Sequence, residues 1–169
     1  VVMEISRSAV TGGVSSKAFQ LRAWIQGREV LMLVDSGSSH SFICESLATQ
    51  LQGVVKAKHP LTVHVANGGV MRCDQELPAC PWQTHGVTFD TNLMVLPLGC
   101  YDVILGIDWL AQHSPMKVHW LEKTMDFDYK GDTVHLQGAR ANINQCHQLS
   151  SDELTELLQR SGVARMVQL

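Results

Sequence analysis

A five-residue apolar run at 30–34 (Val-Leu-Met-Leu-Val) ends directly at an acidic residue, Asp35. A continuous apolar run of this length is typical of a strand that is buried on both faces at the centre of a sheet. The carboxylate that follows therefore lies at the edge of a hydrophobic core, where its charge is costly unless nearby donors stabilise it. The Ser-Gly-Ser-Ser at 36–39 supplies hydroxyl donors and one position without a Cβ, which another backbone segment can approach closely. The pattern indicates a carboxylate positioned for acid–base chemistry.

The composition is that of one globular domain with a substantial core: of 169 residues, 45% are hydrophobic and 17% are charged. The formal net charge of −3 argues against a nucleic-acid-binding surface and is too small to imply a cationic partner. We find no signal-peptide pattern and no apolar stretch long enough to span a bilayer. We therefore expect an intracellular, cytoplasmic domain that binds neither nucleic acid nor a membrane.

The chain has five cysteines: Cys44, Cys73, Cys80, Cys100 and Cys146. Their number is odd, their spacing is irregular, and none belongs to a Cys-x-x-Cys pair. This pattern predicts neither a disulfide framework nor a zinc site, and it favours a reducing compartment. The histidines are scattered along the chain, so we expect no metal and no other cofactor.

Short strands separated by turn residues extend through most of the chain. Apolar and polar residues alternate at 19–25, and a turn at 26–28 leads into the apolar run. Alternation at 61–65 is followed by the Asn-Gly-Gly at 67–69, which predicts a hairpin with a type I′ turn. The remaining predicted strands are 86–90, 92–97, 102–105, 118–120, 124–129 and 133–136. Regular strands of this kind predict a small β-barrel or sandwich at 17–137.

Two segments flank this predicted domain. Residues 1–16 contain Gly and Ser pairs with little periodicity and are expected to be a flexible N-terminal segment. The C-terminal extension, 138–169, contains a predicted helix with Ser150 and Glu153 in a capping box. This extension is either a linker or a support for a dimer, and the sequence leaves both open. A further short helix is predicted within 40–51.

Three features occur in a fixed order around Asp35, and together they are more specific than an Asp-Ser-Gly tripeptide. An alternating strand precedes the apolar run, the Asn-Gly-Gly at 67–69 follows it, and an Ile-Leu-Gly at 104–106 closes the set. In this order they resemble the retropepsin-like aspartic proteases. The segment 101–110 (Tyr-Asp-Val-Ile-Leu-Gly-Ile-Asp-Trp-Leu) is most similar to the gypsy-type branch of LTR retrotransposons. The resemblance covers 17–137 and implies an all-β fold, a small closed β-barrel of the retropepsin type with one or two short helices.

The resemblance implies a role for each residue after the apolar run. Asp35 is expected to be the catalytic aspartate. Ser36 stands where the family usually has Thr, and its hydroxyl is expected to bond across to the loop of a partner chain. Gly37 is expected to let the two loops meet, and Ser38 to hydrogen-bond the outer oxygen of the carboxylate.

The two later motifs are given roles by the same resemblance. The hairpin tip is expected to be a flap that closes over substrate. Its residues are Ala66, Asn67, Gly68, Gly69 and Val70. Ile104, Leu105 and Gly106 are expected to lie under the catalytic loop and to hold its backbone in place.

Peptide hydrolysis by carboxylates needs two of them, one ionised to deprotonate water and one protonated to donate to the carbonyl oxygen. Two aspartates in contact cannot both ionise, so they share a proton. The chain holds a single Asp-[Ser/Thr]-Gly, so the second carboxylate is expected from a second copy of the chain. We therefore predict a homodimeric aspartic endopeptidase that cuts peptide bonds of its parent retroelement polyprotein, in the cytoplasm or within virus-like particles.

Other interpretations of the same residues remain open. The chain is alternatively a retropepsin-fold dimerisation or binding module without proteolysis, or a generic β-barrel binding domain. Asp35 taken alone is a turn residue after a core strand, and the hairpin taken alone is an ordinary one. Asp102 and Asp108 are expected to be surface or turn acids. The tryptophans are expected to be core or interface aromatics; they are Trp24, Trp82, Trp109 and Trp120.

Overall fold

A computed structural model describes residues 2–5, 18–65 and 68–139. The strands in these residues are β1 (Val2–Ile5), β2 (Phe19–Ile25), β3 (Arg28–Val34), β4 (Phe42–Cys44), β5 (Val55–Val65), β6 (Val70–Thr84), β7 (Val87–Leu96), β8 (Val103–Leu105), β9 (Met116–His119), β10 (Thr124–Tyr129) and β11 (Asp132–Gln137). The helices are short: α1 (Glu45–Ala48) and α2 (Ile107–Gln112). None of the helices in these ranges is long and apolar enough to cross a membrane.

The strands form a closed barrel with a small second sheet beside it. The larger sheet has the order β1-β5-β6-β2-β3-β8-β4-β7, and an additional pairing of β6 with β7 closes six of its strands into a ring. Strands β9, β10 and β11 form an antiparallel three-stranded sheet. The prediction of an all-β fold with a closed retropepsin-type barrel and short helices is confirmed.

The β2–β3 hairpin follows the sequence pattern closely. Its strands pair antiparallel from Phe19 opposite Val34 to Ile25 opposite Arg28. The two turn residues, Gln26 and Gly27, both have positive φ, as a type I′ turn requires. Strand β3 also pairs with β8 in parallel, so the predicted apolar strand lies between two others in the barrel wall.

The β5–β6 hairpin is longer than the sequence pattern predicts. The alternation of apolar and polar residues is interrupted at 56–60 and 78–81, so the pattern does not reveal the full length of the two strands. The register of the β5–β6 pairing shifts at the first interruption, and β6 shifts against β7 between Leu77 and Cys80, where Ala79 has a φ of 44°. At the hairpin end, Gly68 N–H donates to Val65 O and Val65 N–H donates to Gly69 O. The predicted type I′ turn depends on Asn67, which lies outside the described residues.

An aromatic cluster joins the barrel to the second sheet through α2. Its members are Trp82, Phe89, Trp109, His113, Phe127 and Tyr129. The ring centroids of Trp82 and Phe89 are 4.6 Å apart, and those of Phe89 and Tyr129 are 4.8 Å apart. Trp82 and Trp109 are therefore core residues, as expected, whereas Trp24 and Trp120 are more than half exposed.

The flanking segments and the cysteines differ in part from expectation. Residues 2–5 form β1, which pairs with β5, where the sequence favours a flexible segment. The C-terminal extension beyond residue 139, with its predicted helix, lies outside the described residues. Cys100 is disulfide-bonded, although the cysteine spacing predicts no disulfide framework. The remaining described cysteines are buried and free: Cys44, Cys73 and Cys80.

Candidate active site

Asp35 emerges from the end of β3 into a short turn, residues 35–39, here called the Asp35 loop. Its backbone N–H donates to Leu105 O over 2.9 Å, which ties the start of the loop to the end of β8. Its carboxylate is held from two sides, because Oδ1 accepts from Gly37 N–H at 3.0 Å and Oδ2 accepts from Ser38 Oγ at 2.7 Å. Ser38 is fully buried, whereas Ser36 and Gly37 are exposed. The carboxylate is thus fixed in orientation at the surface of the barrel.

Gly106 lies directly under the Asp35 loop. A Cβ at this position would lie 2.7 Å from Ser38 O and would also contact the backbone of His40. The next residue, Ile107, donates its N–H to Ser38 O over 2.8 Å. The close approach of the two backbones therefore needs a residue without a side chain, and it buttresses the loop from below.

A hydrogen-bond chain connects Gly106 to α2. Gly106 N–H donates to Ser41 Oγ at 3.0 Å, and Ser41 Oγ donates to Asp108 Oδ1 at 2.7 Å. The other carboxylate oxygen of Asp108 accepts from Ser41 N–H, and Oδ1 also accepts from Trp109 N–H at the start of α2. Asp108 was expected to be a surface or turn acid; it is partly exposed in the first turn of α2, and its carboxylate also connects α2 to the segment after the Asp35 loop through Ser41.

Asp102, also expected to be a surface or turn acid, is partly exposed in the bend before β8, and its carboxylate binds the backbone of β3. Its Oδ2 accepts from Leu31 N–H at 2.7 Å, and its own N–H donates to Leu31 O. Burial raises the pKa of Asp102, and the hydrogen bond from Leu31 partly opposes that effect. Its position in the sequence, beside an apolar segment, does not reveal this partner because Leu31 is distant in the chain.

A buried polar pair near the site is not evident from the sequence. Gln20 and Tyr101 are both almost fully buried, and Gln20 Nε2 donates to Tyr101 Oη over 2.9 Å. Burial raises the pKa of Tyr101, the bond from Gln20 opposes the rise, and the negative charge of Asp35 adds to it. Tyr101 therefore lies within range of the Asp35 charge and stays a neutral phenol.

The predicted flap residues are only partly within the described chain. Gly68, Gly69 and Val70 lie at the end of the β5–β6 hairpin, and Gly68 has a φ of 87°. Ala66 and Asn67 lie outside the described residues. The predicted supporting residues, Ile104, Leu105 and Gly106, are fully buried beneath the Asp35 loop.

The groups around Asp35 are hydroxyls, backbone amides and carboxylates. Across residues 2–5, 18–65 and 68–139, no set of three or more His, Cys, Asp or Glu side chains is arranged to hold a metal ion. This arrangement holds the Asp35 carboxylate in a fixed orientation. The neighbouring loop residues Ser36 and Gly37 are exposed to solvent.

Comparison with known proteins agrees with this geometry. The sequence profile of the retroviral aspartyl protease family matches residues 10–130. No curated protein matches the chain. The crystal structure of the retroviral protease-like domain of Ddi1 from Leishmania major is similar with a TM-score of 0.56 and 16% identity, covering 75% of this chain and 97% of that one. That likeness bears on the fold, and the profile match spans most of the chain. The chain therefore belongs to the retroviral aspartyl protease family.

Proposed function

We propose that the protein is a homodimeric aspartic endopeptidase in which Asp35 of each chain supplies one of two catalytic carboxylates. The observation that best supports the proposal is the Asp35 carboxylate itself. It accepts hydrogen bonds from Gly37 N–H and the buried Ser38 hydroxyl, yet the loop that carries it is exposed at Ser36 and Gly37. A fixed carboxylate on an exposed loop is suited to meeting its counterpart from a second chain.

Two acids that contact β3 and the segment after the Asp35 loop do not supply a second catalytic carboxylate. Asp102 accepts from Leu31 N–H, and Asp108 accepts from both Ser41 and Trp109. Both are therefore engaged in holding the framework. Two-fold symmetry brings identical patches together, so a dimer through the exposed Asp35 loop would place one Asp35 from each chain at the axis.

In such a dimer the two carboxylates share one proton, because both cannot ionise in contact. The ionised carboxylate takes a proton from a water molecule, which attacks the scissile carbonyl carbon, while the protonated one donates to the carbonyl oxygen. Collapse of the tetrahedral intermediate breaks the C–N bond and transfers a proton to the leaving amine. The hydrogen bonds from Gly37 and Ser38 keep each carboxylate oriented through these steps.

We further propose that the substrate is an extended segment of the parent retroelement polyprotein, bound between the β5–β6 hairpin and the Asp35 loop. The support is the resemblance of residues 101–110 to the gypsy-type branch, together with the β5–β6 hairpin, which is connected to the Asp35 loop through β1. An extended peptide in that position would pair as an added strand. Processing is then expected in the cytoplasm or within virus-like particles.

The test compares the unaltered chain with Asp35→Asn on an unstructured protein substrate from pH 4 to 7, with and without an aspartic-protease transition-state inhibitor. Asp132→Asn is the matched control, because Asp132 is exposed at the start of β11. We expect inhibitor-sensitive cleavage by the unaltered chain and the control, and none by Asp35→Asn. Equal cleavage by Asp35→Asn contradicts the proposal. No cleavage by a chain shown to be dimeric also contradicts it and favours the non-proteolytic module.

A further inference from the structure

Strand β1 lies along the free edge of the β5–β6 hairpin. It pairs with β5 in parallel, from Val2 opposite Thr62 to Ile5 opposite Val65. Val65 is the last residue of β5, and its N–H bonds to Gly69 O across the hairpin end. The N-terminal strand therefore runs towards the loop of the hairpin and ends beside its base.

The opposite edge of β1 is held by the Asp35 loop. Ser39 N–H donates to Glu4 O at 2.8 Å, and Glu4 N–H donates to Ser39 Oγ at 2.7 Å. Ser39 Oγ also lies 3.1 Å from Glu4 O. Strand β1 thus has hydrogen-bonding partners on both edges, the hairpin on one and the loop that carries Asp35 on the other.

The side chains of the last two residues of β1 lie in different environments. Ile5 is 1% exposed and belongs to the hydrophobic core, whereas Glu4 is exposed. Backbone hydrogen bonds along an extended segment, with a pocket for an alternate side chain, are the features by which proteins bind peptides as added strands. The bonds from Ser39 involve only the backbone of residue 4, so another extended peptide could make them equally well.

We propose that β1 occupies the peptide-binding groove, so that residues 2–5 act as a built-in competitor of substrate. This inference rests on the proposed function, because it takes the space between the β5–β6 hairpin and the Asp35 loop as the substrate groove. A tethered strand is present at a high effective concentration, so an incoming peptide must displace it before binding. The stability of β1 in the groove then determines how tightly another peptide binds there.

The inference is tested by binding, which requires no catalysis. The probe is a fluorescently labelled peptide with the sequence of residues 1–8, and the protein is the full chain carrying Asp35→Asn. Two substitutions loosen the tethered strand: Glu4→Pro removes the N–H that donates to Ser39, and Ile5→Ser removes the buried side chain. Glu4→Ala is the matched control, since it keeps the backbone N–H. Thermal melting shows that each variant is folded.

We expect the peptide to bind Asp35→Asn chains that also carry Glu4→Pro or Ile5→Ser at least about tenfold more tightly than the chain with Asp35→Asn alone. A tenfold change is the scale expected when the tethered strand loses one or two hydrogen bonds or apolar contacts. Glu4→Ala is expected to behave as the Asp35→Asn chain does, and a peptide that itself carries Glu4→Pro is expected to bind none of them. Equal binding to all the chains, or no binding to any folded variant, overturns the inference and leaves β1 as an ordinary edge strand.

An activity measurement separates this inference from the proposed function. In chains that retain Asp35, Glu4→Pro is expected to lower the KM for a short peptide several-fold with kcat unchanged, because only access to the groove differs. Hydrolysis with the same KM in both chains contradicts the inference and leaves the protease proposal standing. Peptide binding as expected without any hydrolysis contradicts the protease proposal and leaves the groove assignment standing.

Discussion

Ser38 donates its hydroxyl to Asp35 Oδ2 from a fully buried position. Hydrogen bonds to charged groups contribute about 1.5–3 kcal/mol. We expect Ser38→Ala to lower kcat/KM by about ten- to a hundredfold on this scale. The matched control is Thr133→Ala, which removes a hydroxyl that donates to Asp128 on the exposed β10–β11 hairpin. Equal kcat/KM for Ser38→Ala and the unaltered chain, both folded, would exclude this role.

Gly106 offers a second test at the scale of one residue, and its readout is stability. A Cβ at 106 would meet the carbonyl of Ser38 at 2.7 Å and the backbone of His40, neither of which can move without shifting the Asp35 loop. We expect Gly106→Ala to lower the free energy of unfolding by about 1–3 kcal/mol, as overpacking does, and to impair activity. Gly86→Asn is the comparison, because that site has open space and a positive φ that Asn tolerates. Urea unfolding of both variants gives the measurement, and similar losses would contradict the steric explanation.

Residues whose environment is local could be predicted from the sequence, and residues with distant partners could not. The strand preceding Asp35 and the hydroxyl at Ser38 follow from a few consecutive residues. Asp102 and Asp108 were expected to be surface or turn acids, and their hydrogen bonds were missed because the partners Leu31 and Ser41 are more than sixty residues away in the chain. Whether an acid is solvated or bound by backbone amides depends on such contacts, which periodicity does not encode.

At the scale of elements, the sequence predicts well those strands whose alternation is unbroken. The β2–β3 hairpin has both the alternation and a Gly in its turn, and the structure has it at 19–34. Most of β6 was missed, because prolines at 78 and 81 are typical of strand ends or edges. The structure accommodates them with a register shift between Leu77 and Cys80. Bulges of this kind are selected by the pairing of neighbouring strands, so a single segment does not reveal them.

The packing of α2 against β10 is expected to depend on pH through His113. This side chain is buried in the aromatic cluster, and its Nδ1–H donates to Trp109 O at 2.8 Å. Burial lowers the pKa of His113, and the bond to Trp109 partly opposes that effect. The unfolded state, with a His pKa near 6.5, therefore binds more protons than the folded state at lower pH. The stability that His113 contributes is complete above that pH and is lost as the pH falls below it.

We therefore expect His113→Asn to reduce the loss of unfolding free energy between pH 7 and pH 5, because Asn keeps a donor but does not titrate. His59→Asn is the control, since His59 is exposed on β5. Urea unfolding at both pH values provides the measurement. The same pH dependence in His113→Asn and the unaltered chain would show that other groups carry it.

At the scale of the whole molecule, the motifs at 35–39 and 104–106 indicate a closed barrel, because these two segments are distant in the chain but contact each other in the fold. The Asp35 loop joins β3 to β8 through Leu105, and Gly106 lies beneath it. The strands β9, β10 and β11 were predicted, but the pattern does not indicate that they form a sheet separate from the barrel. Its attachment depends on aromatic contacts between distant segments, and the position of β1 depends on Ser39.

The dimer makes a quantitative prediction for mixtures of chains. If each active site takes one Asp35 from each of two chains, a mixed dimer of the unaltered chain and Asp35→Asn holds a single catalytic carboxylate and cannot share a proton between two. Random exchange of equal amounts leaves about one quarter of the dimers with two unaltered chains. At a fixed total concentration, above the dimer dissociation constant, activity should then fall to about one quarter of that of the unaltered chain and follow the square of its fraction. Asp132→Asn, mixed in the same way, should leave activity unchanged, since Asp132 is exposed at the start of β11. A linear decline to about one half would instead mean that each chain acts with its own carboxylate, contrary to a two-fold site.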